Sequence, residues 1–220
     1  MPSMKPPVSP NRPSRRWLRG AATTAVAATL LLAGACSNDE ADEDTSAPST
    51  TGGGGGGAEQ SFDGTLAPPE SADGAFTYDP AAPEGAELSV TVSPADDDTT
   101  FELTVSGLEP DRGYAVHAHT KPCGPTGDAA GPHFQDELDP AATSSKPSSD
   151  PAYANPENEV WLDLETDGEG AGSAEATVPF TFSDEAPAST VVHAEMETAT
   201  EAGMAGMAGD RIACLDTPVE

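Results

Sequence analysis

Positive charge is scarce in this chain once its first 19 residues are passed. Of nine lysines and arginines, five (Lys5, Arg12, Arg15, Arg16 and Arg19) lie in that opening stretch. Arg112, Lys121, Lys146 and Arg211 are left against 38 aspartates and glutamates. A surface so acidic excludes nucleic acid as a partner, because a phosphate backbone would be repelled. Long apolar runs are also missing. The uncharged stretch from Gly20 to Ala35, which ends at Cys36, has 16 residues, short of the roughly 20 that span a bilayer. Beyond Ser71 no stretch keeps a convincing helical period. Cysteine and histidine are scarce, with three of the first and four of the second, so where each one sits carries weight.

The first 35 residues combine a basic start, a short apolar stretch and small residues before Cys36, which reads as an export signal. SRRWLR (14–19) resembles a twin-arginine signal. LLAGAC (31–36) resembles the lipobox of bacterial lipoproteins. That resemblance implies a lipid on Cys36 and a protein anchored to the outer face of the cell membrane. Secretion after cleavage nearby is the alternative. Residues 36–72 open with SNDEADED, pass through six glycines and end Pro- and Ala-rich. This composition cannot bury a core, so it predicts a disordered tether. A single domain is expected over 73–220, long enough for a real core. With Cys36 set aside, Cys123 and Cys214 remain. Two cysteines in an exported domain are expected to pair, two free thiols being the alternative.

The patterning of the domain is that of strands. ELSVTVSP (87–94) alternates Leu88, Val90 and Val92 with Ser89, Thr91 and Ser93. FELTVSGL (101–108) and EVWLDLET (159–166) alternate likewise, and AFTYD (75–79), ATVPFTFS (176–183) and STVVHAEM (189–196) are rich in β-formers. Period two with one polar face predicts an all-β, antiparallel sandwich or barrel. From Gln135 to Asn158 there is no apolar rhythm, and a long loop is expected.

The histidines are His117, His119, His133 and His193. In HAH (117–119) the two rings leave one face of a strand side by side, as two neighbouring ligands of a metal must. GPHF (131–134) can bend the chain back, and His193 follows Val191 and Val192 on an expected strand. Three or four neutral imidazoles suit copper or zinc.

These pieces resemble, in order, the copper/zinc superoxide dismutase family. SGLEPDRGYAVHAH (106–119) is similar to the segment carrying that family's first two copper ligands, and GPHF to the segment of its metal-bridging histidine. VVH (191–193) is similar to the strand of its last copper ligand. GDRIAC (209–214) is similar to its closing segment, and Cys123 stands where bacterial members place the first disulfide cysteine. The resemblance implies an eight-stranded Greek-key barrel or sandwich with the metal site outside it, under two long loops. It implies copper on His117, His119, His133 and His193, with superoxide as substrate. His133 is also the expected proton donor. Arg211, held near the metal by a Cys123–Cys214 disulfide, is the expected docking point for a small anion. Oligomeric state is left open.

Two departures matter. No histidine lies between His133 and His193, so the zinc ligands of the family are not matched. Asp163 alone stands near the place of a zinc carboxylate, and zinc is expected to be lost. The segment that guides anions in the family instead carries Glu195, Glu197 and Glu201, with Met196, Met204 and Met207. Thioethers are soft ligands favouring Cu(I), though methionine is also a flexible filler. The expectation is a copper-dependent superoxide dismutase. The alternative is a copper-storing or copper-carrying lipoprotein without activity.

Overall fold

The structure is a computed structural model that describes residues 57–220 apart from 144–145 and 183–184. The export signal, Cys36 and the tether as far as residue 56 lie outside the described residues. In chain order the strands are β1 (Gln60–Thr65), β2 (Ala75–Thr77), β3 (Glu87–Pro94), β4 (Thr99–Ser106), β5 (Gly113–Tyr114), β6 (Val116–His119), β7 (Leu164–Glu165), β8 (Gly172–Val178), β9 (Ser189–His193) and β10 (Arg211–Asp216). Among the described residues the only helical element is a 3₁₀ turn, Gly127–Ala130.

The strands form two four-stranded sheets, ordered β1-β3-β4-β8 and β2-β10-β9-β6, and a small ribbon of β5 with β7. Every strand pairing is antiparallel. One core unites the sheets. Val90, Val92, Phe101 and Leu103 of the first sheet share it with Val116, Val192, Ala213 and Leu215 of the second. Each of the Val, Leu and Phe side chains among them contributes about 1.5–3 kcal/mol by leaving water, and Ala213 less. The result is the sandwich form of the expected all-β fold; among the described residues neither sheet closes into a barrel.

Two expectations need correction. The tether does not run to residue 72. Gln60–Thr65 forms the edge strand β1, paired residue by residue with β3, and Leu66 is buried in the core. QSFDGT has a single large apolar residue, Phe62, so its strand character comes from pairing with β3 and leaves little trace in periodicity. Of the strand expected over 159–166, only Leu164–Glu165 pairs as one. Residues 160–162 instead hydrogen-bond the edge of β6, Ala118 N to Val160 O (3.3 Å) and Leu162 N to Val116 O (2.8 Å).

Cys123 and Cys214 form a disulfide across 91 residues. Closing a loop of that length is worth roughly 4–5 kcal/mol in the chain-entropy account. Cys214 lies on the outer face of the second sheet with Val191 and Ala130, away from the main core.

Candidate metal centre

The second sheet has two faces with different tasks. Val116, Ala118 and Val192 point into the main core. Period two then sends His117, His119 and His193 to the opposite face. Residues 132–134 double back along β6, with Phe134 N bonded to Ala118 O at 2.9 Å, and set His133 beside His119. The four rings converge: centroids are 4.1 Å apart for His117 and His133, 4.8 Å for His119 and His133, and 5.1 Å for His117 and His193. One nitrogen from each lies within 4.8 Å of all the others.

The hydrogen bonds define which nitrogen each ring offers. Thr198 Oγ1 donates to Asp163 Oδ1 (2.8 Å), so toward His117 Nε2 (2.7 Å) it must accept. His117 therefore carries its proton on Nε2 and bares Nδ1, which is the one buried side-chain polar atom without a partner among the described residues. His119 Nδ1 donates to Gly131 O (3.0 Å) and His193 Nδ1 to Gly209 O (3.2 Å), leaving both Nε2 atoms bare. His133 Nδ1 donates to Glu159 Oε2 (3.0 Å), which frees its Nε2 as well. Each ring thus spends one nitrogen on a protein acceptor and turns a lone pair toward the others. His119 Nε2 and His193 Nε2 face each other at 3.2 Å, an arrangement that repels unless a cation lies between. Burial, and after it the charge that neighbouring imidazoles would carry, holds His117 and His119 well below the ordinary imidazole range. Burial, followed by His133, brings His193 down to about 3. Neutral imidazoles with free lone pairs are ligands, and the donor set fits a transition-metal ion.

Three residues that sequence reasoning passed over hold this arrangement. Glu159 is only 2% exposed. Its carboxylate accepts from His133 Nδ1, Trp161 Nε1 (2.8 Å) and Gln135 Nε2 (2.7 Å). Thr198 links His117 to Asp163, whose carboxylate also accepts from Thr198 N (2.7 Å) and Val116 N (3.1 Å). Asp163, considered from sequence as a zinc carboxylate, is thus engaged in tying the 195–209 loop to β6. Gly131 lies at φ +73°, and a Cβ there would come within 2.7 Å of Thr120 Oγ1. Only glycine lets this backbone present its carbonyl to His119.

Arg211 begins β10 opposite His193. A register shift between Arg211 and Ala213 re-aims the strand there, as bulges do. Its guanidinium is half-buried, with Nη1 donating to Gly127 O at 2.8 Å. It is close enough to depress the basicity of His119 and His193.

No protein-family model and no curated protein matches this chain. Among solved structures, a Cu/Zn superoxide dismutase from Brucella abortus is similar, with 18% sequence identity and a TM-score of 0.44 over 72% of this chain and 99% of that one.

Proposed function

We propose that the chain is an exported, copper-dependent superoxide dismutase, anchored by a lipid on Cys36 to the outer face of the membrane. The observation that carries this reading is the convergence of one nitrogen from each of four imidazoles on the outer face of the second sheet, with His117 Nδ1 left without a partner. His117 through Nδ1, and His119, His133 and His193 through Nε2, would hold one copper ion. Bound copper would supply alternate one-electron oxidation and reduction, so that two superoxide anions and two protons give O₂ and hydrogen peroxide.

The chain's own residues have separable tasks. Thr198, Gly131, Gly209 and Glu159 fix ring orientation through the distal nitrogens, which sharpens ligand basicity. Arg211 docks the anion by charge-assisted hydrogen bonds from the guanidinium nitrogens not committed to Gly127. His133 is assigned proton delivery at Nε2, which would take up a proton only while not on the ion, its Nδ1 being anchored to Glu159. No zinc is assigned beside the copper, because both carboxylates near the site, Glu159 and Asp163, are occupied by hydrogen bonds. The acidic surface opposes long-range attraction of an anion, but salt screens it beyond about 8–10 Å.

The test is superoxide turnover by the copper-loaded full chain beside Arg211→Ala. Turnover above that of free copper, falling in the variant while copper affinity holds, supports the enzyme. Bound copper with no such turnover moves the reading to a copper store or carrier. Stoichiometric, tightly held zinc after reconstitution with both ions would overturn the single-metal assignment.

A further inference from the structure

Every methionine among the described residues is exposed. Met196 is 64%, Met204 48% and Met207 51% accessible. A methionine that fills core gaps is buried, so core packing does not account for these three, though Met196 Cβ lies against Gly113. All lie on one short stretch of chain that covers the histidines. Glu195 N bonds Ala208 O and Ala199 N bonds Met207 O, both at 2.9 Å, so the strip holding Met196 runs against the strip ending in Met207. Met207 N bonds Met204 O at 3.0 Å, which closes a tight turn with its end residues within about 7 Å.

The turn rests on the metal centre. Gly206 sits at φ +76°, and a Cβ on it would lie 3.1 Å from Ala154 Cβ and 3.9 Å from His133 Nδ1. Between Met196 and the turn, Thr198 reaches inward to His117. One side of this loop therefore orients the histidines, while its methionines stand in solvent at the rim.

We propose that Met196, Met204 and Met207 form a second metal site, specific for a soft monovalent cation such as Cu(I). Thioethers are soft, uncharged donors that select Cu(I) over the hard cations an acidic surface attracts. Their three rotatable bonds let sulfurs on neighbouring backbone converge at small cost. The service of this site as a receiving point for copper on its way inward rests on the copper reading of the four histidines; the cation binding itself does not.

The experiment uses the full chain labelled with ¹³C at the methionine methyl groups and titrated with silver(I), a redox-inert probe, followed by Cu(I) in competition with a chelator. The methyl signals of Met196, Met204 and Met207 should shift together and saturate, while those of Met1 and Met4 stay in place. Met204→Leu with Met207→Leu should lose one Cu(I) equivalent and keep the one on the histidines. Unmoved loop methyls, or equal Cu(I) stoichiometry in the double variant, would overturn the proposal. Superoxide turnover by that variant reports separately on the enzyme reading. A chain that binds Cu(I) on its methionines without dismutase activity supports this site while removing that function.

Discussion

The two sheets of the sandwich are built from the same alternation but treat their outer faces in opposite ways. In the first sheet, β3 and β4 alternate buried with exposed or half-buried residues, and the outer face is a wet ladder of Ser, Thr and Glu. Ser61 meets Thr91 at 3.3 Å and Thr100 meets Thr177 at 2.9 Å across neighbouring strands. In the second sheet, every residue of β6 and β9 is buried, inward-pointing or not. Loops cover its outer face, and under them polar side chains must find partners or a ligand. The first sheet is scaffold on both faces. The second is scaffold on one and gathers the four histidines on the other.

The largest test of that contrast pairs His119→Ala with Thr91→Ala, an outer-face residue from each sheet. The histidine variant should lose high-affinity copper binding in a metal titration and leave the secondary structure intact by circular dichroism. The threonine variant should bind as the parent does and change stability by no more than about 0.5 kcal/mol. Comparable copper loss in both would erase the distinction. Next in size is the covalent tie on the loop-covered face. Cys123→Ser with Cys214→Ser should lower stability in denaturant by roughly 4–5 kcal/mol.

A smaller effect is expected from the second row of contacts. Thr198→Val removes the hydroxyl that accepts from His117 and should weaken copper binding or turnover roughly 10–100-fold. Thr100→Val, its hydroxyl-for-methyl counterpart on the first sheet, should leave both unchanged. Equal behaviour of the two would show that Thr198 merely packs. The smallest effect concerns pH in the metal-free chain. His117, His119 and His193 are depressed in the fold, so the unfolded chain takes up protons first as pH falls through about 6.5. Stability is therefore full above that value and should decline below it, before carboxylates titrate. The urea midpoint, followed from neutral pH to about pH 5, should fall in the parent and fall less in His193→Ala.

The first sheet was the more legible of the two from sequence, for the same reason. Where one face meets water, Leu88, Val90 and Val92 stand out against Ser89, Thr91 and Ser93, and β3 keeps its expected bounds, 87–94. The H-x-H pair was legible too, because period two alone puts His117 and His119 on one face. Glu159 and Thr198 were not. Glu159 shares a face with Trp161 and Asp163, which pattern alone reads as solvent-facing, but a loop converts that face into the wall of the histidine cluster. Thr198 sits in a Gly/Ala/Glu-rich segment, and its role depends on Asp163, 35 residues away in the chain. β1 was hidden by a composition that belongs to a tether up to the residue where pairing begins.

The distal hydrogen bonds of the four histidines carry a consequence for the order of events in the life of the chain. Gly131, Gly209, Glu159 and Thr198 hold the rings through contacts made by the chain alone. Domains whose ligands are organised only by an ion cannot fold until it arrives. Rings tied down by the chain itself would let folding come first and metal uptake later, with little ordering left for an ion to do.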